Sequence, residues 1–359
     1  MMLANVIKQL FASRRVQPVA EVLAAADAAL AADDLVAAEN ALTTAIATHP
    51  DHVGTLCLSG NLNFKRGQFA DALSAFRRAE TLGPLTDDCY CLMAQCHYAL
   101  GNISASQGYC DSVLKRNADH LGAHEVLAAI ALPGPHYMDL LSAIHHSLKP
   151  ATYLEVGVFQ GRSIALARPP TSAIGVDPEP RILASLGDNV RIFAMTSDAF
   201  FSQHEPVKEF GGRRVDLAFI DGMHHFEFAL RDFAHIERYC TTMSIVLVHD
   251  CFPLDRRTAE RTRSTRFWSG DVWRMVVALK KYRPDLAIHT IGTRPTGLAL
   301  IRNLDPDSRV LFDHMDEIVA DLSATDYGVL DRNKRETLNW FPNDFEKIEN
   351  LLHPTSSRS

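Results

Sequence analysis

The 359-residue sequence lacks several features that would set its class at once. It has no apolar run of about 18 residues, so it encodes no membrane-spanning helix. It has no basic excess: 36 Lys and Arg stand against 43 Asp and Glu, a net charge of −7. A general nucleic-acid binder needs a basic face, so that class is excluded. The seven cysteines are odd in number and contain no C-x-x-C pair. They imply neither a disulfide framework nor a zinc knuckle, and they fit a reducing, cytoplasmic setting. The opening MMLANVIKQLFASRR has too short an apolar core for a secretory signal. Its Leu3, Val6, Ile7, Leu10 and Phe11 form a helical stripe, readable as a helix docked on the next domain or as a membrane-surface contact. What remains, 47% hydrophobic and 22% charged residues, is the composition of a globular protein. Its length suits two domains.

The first domain, 1–132, is repetitive. Segments 19–52, 53–86 and 87–120 align on one another without a gap. The period is about 34 residues, the length of a helix–turn–helix repeat. Asp33, Gly67 and Gly101 share a column that reads as a turn between two helices. Ala38, Ala72 and Ser106 share another, and Ala45, Ala79 and Val113 a third, small enough for close helix approach. This period and pattern resembles tetratricopeptide repeats, which implies peptide binding or self-association. Residues 121–131 read as the start of a capping helix. Cys89, Cys91 and Cys96, beside His97, read as helical core cysteines. Pro133-Gly134-Pro135 breaks the helical run and marks the domain boundary. A second domain then spans 136–350, opening with a helix over His136–Leu148 that carries His145 and His146 as surface or interface residues.

The second domain turns on Tyr153–Gly161, YLEVGVFQG. Tyr153, Leu154, Val156 and Val158 suit a buried parallel strand. Gly157 and Gly161 bracket a turn, and residues 162–167 predict a helix. Strand, glycine turn and helix open a nucleotide site at the carboxyl edge of a parallel sheet. Glu155 at that edge can pair with a cationic amino group. The dinucleotide fingerprint G-x-G-x-x-G is absent, because Phe159 stands in the middle position. A second strand, 173–177, ends in Asp177. Counted from Gly157, that is the place, about 20 residues on, for a carboxylate that accepts both ribose hydroxyls. A third strand over 190–193 precedes Thr196-Ser197-Asp198. A fourth, 215–220, ends in Asp221-Gly222-Met223-His224-His225, and a helix follows from 227 to 239. A fifth, 244–248, ends in His249-Asp250. Parallel strands of one sheet end at one edge, so Asp221 and the His249-Asp250 pair should converge.

Glu-x-Gly-x-x-x-Gly resembles motif I of the class I S-adenosylmethionine-dependent methyltransferases. FIDGMHHFEFALRDF followed by VLVHD is similar to the methyltransferase-24 and macrocin-type O-methyltransferases. The resemblance, over 151–250, implies a Rossmann-like seven-stranded α/β domain behind the all-α repeats. It implies S-adenosylmethionine as methyl donor, with cofactor contacts at Glu155, Gly157, Gly161, Ser163, Asp177, Ser197 and Asp198. Asp198 stands where the family places a group on the adenine amino nitrogen; a helix N-cap is the alternative. Asp221 and Asp250 match the divalent-metal ligands of the catechol-type O-methyltransferases, with His249 in the remaining protein position. His224 stands where the macrocin-type enzymes carry a histidine base, and His225 is the second candidate. The implied function is O-methylation of a small hydroxylated acceptor, such as a sugar or natural product, assisted by Mg²⁺ or Mn²⁺. His249 departs from an all-oxygen set and leaves the metal open, Fe²⁺ included. Two other readings stay open: a metal-independent methyltransferase with a histidine base, and a non-catalytic cofactor binder that recruits partners through its repeats.

After the fifth strand, residues 253–270 carry Arg256, Arg257, Arg261, Arg263 and Arg266. They read either as a lid over an anionic acceptor or as a solvated helix. Asp271 reads as an N-cap for a helix to Tyr282. Trp273 reads as core, and Trp268 as core or as a platform for a sugar ring. Residues 286–290 and 297–301 predict a closing antiparallel hairpin edge, residues 306–341 helical pieces, and 353–359 a disordered end.

Overall fold

The computed structural model describes residues 18–353. The Leu3–Phe11 stripe and residues 354–359 lie outside the described residues. The chain divides into two compact units between Val126 and Leu127.

The first unit contains three helix pairs: α1 (Val19–Ala31) with α2 (Leu35–Thr48), α3 (Val53–Lys65) with α4 (Phe69–Leu82), and α5 (Asp87–Ala99) with α6 (Ile103–Arg116). Corresponding helices start at a constant interval, as at Val19, Val53 and Asp87. The turn column takes the left-handed conformation every time: φ is 60° at Asp33, 73° at Gly67 and 78° at Gly101. Asp34, Gln68 and Asn102 then donate their amides to the carbonyls of Ala29, Asn63 and His97. These local caps, each spanning five residues, satisfy carbonyls that the helix end would leave open. The small-residue columns are the buried ones. Ala38, Ala72, Ser106, Ala45, Ala79 and Val113 are all buried. Gly60 shows the tolerance of this packing, since a Cβ there would stand 2.8 Å from the Phe76 ring. The division between the units falls within α7 (Leu121–Ala131).

The second unit takes in the end of α7 and then α8 (Tyr137–Leu148), started by a capping box at His136 and Asp139. The elements that follow are β1 (Thr152–Val156), β2 (Ser172–Val176), β3 (Val190–Phe193), α9 (Ser197–Gln203), α10 (Pro206–Glu209), β4 (Val215–Ile220), α11 (Phe226–Glu237) and β5 (Cys240–His249). After them come α12 (Trp273–Tyr282), β6 (Ala287–Ile291), β7 (Leu298–Arg302), α13 (Val310–Asp313), α14 (Met315–Ser323), α15 (Gly328–Thr337), β8 (Trp340–Phe341) and α16 (Phe345–Leu352). The sheet order is β3-β2-β1-β4-β5-β7-β6-β8. Strands β1 to β5 are parallel, and β7 runs antiparallel between β5 and β6. Alternate strand residues face opposite layers. Leu154, Val156, Ala218, Ile220, Val246 and Val248 pack with α9, α11 and α12. Tyr153, Leu217, Phe219, Ile245 and Leu247 pack with α8 and α16.

Four expectations are corrected. The sheet has eight strands rather than seven, because β8 pairs with β6 and removes the hairpin from the edge. So short a strand shows no period in sequence, and it lay hidden among the expected helical pieces. No α-helix follows the glycine turn; Ile164–Leu166 forms a single 3₁₀ turn. Pro169 and Pro170 end that segment early, since a proline bars α conformation in the residue before it. Residues 253–272 form neither a solvated helix nor any other regular element. His145, read as a surface or interface residue, is buried edge-on against Tyr153, and burial pushes its pKa down to about 4.

Candidate functional site at the carboxyl edge of the sheet

The ends of β1 and β4 meet so closely that only glycine fits. A Cβ on Gly157 would lie 2.1 Å from the Asp221 carbonyl oxygen, and φ there is 91°. Gly157 donates its amide to the Val176 carbonyl, and Asp221 donates to that of Val156. The turn then runs through Phe159, exposed at φ 44°, to Gly161 at φ 79°. Asp177 organises this turn. Its Oδ2 accepts from the Val158 amide at 2.9 Å and the Phe159 amide at 2.8 Å, and its Oδ1 accepts from the Glu179 amide at 2.8 Å. A carboxylate with three amide donors is strongly fixed, and one acceptor direction remains open on Oδ1.

Glu155 lies below the turn, fully buried. Ser163 donates its hydroxyl to Oε1 and Tyr153 donates its phenol to Oε2, both at 2.6 Å. Burial dominates over these bonds and raises the carboxyl pKa to about 8. Around the β3 end, Thr196 caps α9 by accepting the Ala199 amide. Ser197 hydrogen-bonds Asp232, and Asp198 forms an ion pair with Arg231 at 2.9 Å. The N-cap role considered for Asp198 therefore belongs to Thr196.

The structure brings Asp221, His224, His249 and Asp250 together. His249 Nδ1 lies 3.1 Å from Asp221 Oδ1 and 3.4 Å from Asp250 Oδ2. His224 Nδ1 lies 3.2 Å from Asp250 Oδ2, and its Nε2 lies 3.9 Å from Asp221 Oδ1. Asp250 sits at φ 62°, and Thr296 donates its hydroxyl to Oδ1 at 2.5 Å. Burial alone would lower the His249 pKa, but the facing Asp221 and Asp250 carboxylates hold it well above its ordinary value. Burial works against ionisation of Asp250, and the His224 and His249 rings outweigh it, leaving that carboxyl below its ordinary range.

This donor set suits a divalent cation. Asp221, His224 and Asp250 can each turn one ligand atom to within 4.8 Å of the others. His224 Nδ1 and His249 Nε2 are buried without a hydrogen-bond partner. For His224 this holds even at 3.2 Å from Asp250, because the approach lacks hydrogen-bond direction. Two carboxylates and one imidazole, that of His224 in this set or of His249 with its Nδ1 against both carboxylates, match the ligand preferences of Mn²⁺ and are compatible with Mg²⁺. His225 is not part of the cluster: its Nε2 lies 3.1 Å from the Arg261 carbonyl oxygen.

Three residues to which the sequence assigned no functional role, Tyr137, Thr296 and Tyr153, complete the surroundings together with Trp268. Tyr137, at the start of α8, lies against His249 with ring centroids 4.2 Å apart. It read as an ordinary helix position. Thr296 belongs to a loop rich in turn formers, and Tyr153 to a strand already explained by burial. Trp268 stacks on His224 at 5.0 Å and 15°, and donates its indole N–H to the Glu260 carbonyl at 2.6 Å. The face offered to a sugar in the sequence reading is thus occupied by His224. Gly270 makes this docking possible, because a Cβ there would lie 1.9 Å from the His224 carbonyl oxygen. Asp271 is buried and accepts the Phe226 amide at 2.9 Å, so it caps α11 and not α12. Arg256 pairs with Asp326 and Asp331, and Arg261 with Glu227 and Asp271, so their charge is neutralised within the protein.

Comparisons with known proteins bear on this unit. Residues 154–251 match the family model described as a methyltransferase domain. No curated protein matches the chain. Among solved structures, the O-methyltransferase TomG of Streptomyces achromogenes, involved in tomaymycin synthesis and in complex with S-adenosylmethionine, is 17% identical, with 47% of this chain and 80% of that one covered at a TM-score of 0.37. An O-methyltransferase of Bacillus cereus in complex with S-adenosylhomocysteine is 14% identical, with 50% and 87% covered at 0.36. A methyltransferase of Podospora anserina bound to S-adenosylhomocysteine is 16% identical, with 57% and 96% covered at 0.37. The second unit thus holds, over residues 154–251, a region that matches a methyltransferase domain.

Proposed function

From a chain that carries a methyltransferase domain, we propose an O-methyltransferase that acts on a small hydroxylated acceptor with the help of a divalent cation. The observation that carries this reading is the meeting of Asp221, His224, His249 and Asp250 directly beside the Gly157 turn. Methyl transfer from a sulfonium is an in-line displacement, so the protein must hold donor and acceptor in line and free the acceptor oxygen of its proton. The Gly157–Gly161 turn, fixed by Asp177, would receive the donor, and its open Oδ1 direction suits a ribose hydroxyl. Glu155 holds Ser163 and Tyr153 beneath that turn.

Asp221 and Asp250 would hold the cation, with His249 as the third protein group. When bound, such an ion lowers the pKa of a coordinated hydroxyl and orients it. His224 would take the acceptor proton. It is partly exposed, whereas His249 is buried behind Tyr137, so of the two only His224 is within reach of an acceptor. Asp250 and Trp268 orient its ring. The acceptor class we favour is a sugar or natural-product hydroxyl. The first unit, with helix pairs that recur at a constant interval, is read as a tetratricopeptide-like array for a protein partner or self-association. Among the described residues no helix is long and apolar enough to cross a membrane, and with seven free thiols we place the protein in the cytoplasm.

A metal-independent reading is favoured by one observation: His249 Nδ1 already faces both carboxylates and can neutralise them. Calorimetric titration with S-adenosylhomocysteine, with and without Mn²⁺ or Mg²⁺, followed by turnover in chelator, separates the two. Turnover lost in chelator and restored by one ion supports the cation; turnover indifferent to chelator removes it. His224→Ala should keep Mn²⁺ affinity and lose turnover. Loss of Mn²⁺ binding in that variant would make His224 the ligand instead of the base.

A further inference from the structure

Of the seven cysteines, Cys91, Cys96, Cys110, Cys240 and Cys251 are buried, while Cys57 and Cys89 are partly exposed. These two meet. Cys57 lies on α3 and Cys89 in the first turn of α5, two helices in contact. Their thiols hydrogen-bond one another. The helical repeat sets the first helices of successive repeats side by side, and the two thiols stand on their facing sides. Thr86 caps α5, accepting the Cys89 amide at 3.3 Å, and its hydroxyl also bonds the Cys89 sulfur. The positive end of the α5 dipole therefore lies beneath that sulfur. The neighbouring acids are Asp87, which pairs with Arg116, and Asp88, which faces His120; Asp88 opposes thiolate formation at Cys89. The hydrogen bonds from Cys57 and Thr86 outweigh both burial and Asp88 and bring the Cys89 thiol down to about 6, while Cys57, as the donor, is raised.

We propose that Cys57 and Cys89 form a peroxide-responsive dithiol, with Cys89 as the attacking sulfur and Cys57 as the resolving one. The Cys89 thiolate forms a bond to one oxygen of hydrogen peroxide as the O–O bond breaks. The departing hydroxide takes a proton and leaves as water. The Cys57 sulfur then attacks the Cys89 sulfenic acid; the S–O bond breaks, and the second hydroxide leaves as water with the Cys57 proton. Two thiols are oxidised to one disulfide, and one peroxide is reduced to two waters. The bond would tie the second repeat to the third across the exposed face of their first helices. The five buried thiols have no such route, because burial keeps them protonated and out of contact with peroxide.

The test uses the full-length reduced protein. After equimolar peroxide at pH 7, denaturation and alkylation, two of the seven thiols should be lost and a peptide should join residue 57 to residue 89. Cys57→Ser should leave Cys89 as a sulfenic acid that a cyclic dione traps, with no disulfide. In the wild type without peroxide, limiting iodoacetamide should modify Cys89 about tenfold faster than Cys57 at pH 7. Seven thiols surviving peroxide, a disulfide formed elsewhere, or equal alkylation of both sulfurs would each overturn the proposal. Should Cys57→Ser not fold, the wild-type alkylation ratio and peptide map decide alone.

Discussion

The helical unit and the α/β unit answer the same packing problem at opposite ranges along the chain. In the first, each helix meets partners within one repeat of itself, and the same small residues recur at the same columns. An error there stays local, as in other repeat arrays. In the second, β1 finds β4 some 64 residues on, through Thr152 and Asp216, and β5 finds Thr296 46 residues on, through Asp250. One side chain in this unit fixes several distant strands at once. Proximity in sequence therefore shapes the first unit's surface, while chain-distant pairing builds the second unit's chemistry.

Substitutions can break or sharpen this contrast. The largest effect is expected at Asp250, which faces both histidines and Thr296. Asp250→Ala should lower turnover at least about a hundredfold while leaving S-adenosylhomocysteine affinity unchanged by calorimetry. An active variant removes Asp250 from the reaction. Next is Gly157→Ala, whose Cβ would collide with the Asp221 backbone in a left-handed conformation. It should cost about 2–4 kcal/mol of stability by denaturant unfolding and also weaken cofactor binding. Loss of stability alone would mean that the turn is only structural.

Gly60→Ala is the matching change in the repeats, where the Phe76 ring must give way. A cost of about 1–3 kcal/mol is expected by thermal unfolding, with turnover at 25 °C unchanged. A fall in turnover would end the claim that errors in this unit stay local. The last effect is a trend with pH, at Glu155. Its folded pKa, about 8, lies above the ordinary 4.5, so the folded state binds the proton more tightly. Its ionisation is thus a cost that is absent below about pH 4.5, grows as pH rises, and is complete above about 8. Glu155→Gln should match wild-type melting near pH 5 and gain on it progressively toward pH 9. Parallel melting curves across that range would show that the Glu155 carboxyl is not perturbed.

Much of this was legible beforehand, for physical reasons that differ by region. The repeat columns could be read because a left-handed turn at Asp33, Gly67 and Gly101 and close helix approach at Ala38, Ala72 and Ser106 restrict residue type at each position. The convergence of Asp221 with His249 and Asp250 could be read because parallel strands end at a shared edge. The Trp268–His224 stack could not, since residues 253–272 follow no period and are held by single contacts such as Gly270 against His224. The same holds for Tyr137, whose place in α8 fits an ordinary apolar stripe.

The sequence by itself determined the period of the helices, the parallel direction of the first five strands and the edge where the acids gather. Each follows from local backbone geometry and from the alternation of buried side chains. Only the tertiary structure decided that Asp177 clamps the glycine turn, that His225 faces Arg261 while His224 faces Asp250, and that β8 closes the sheet. Those choices depend on which way a side chain points once distant segments have packed, and no spacing along the chain encodes that direction.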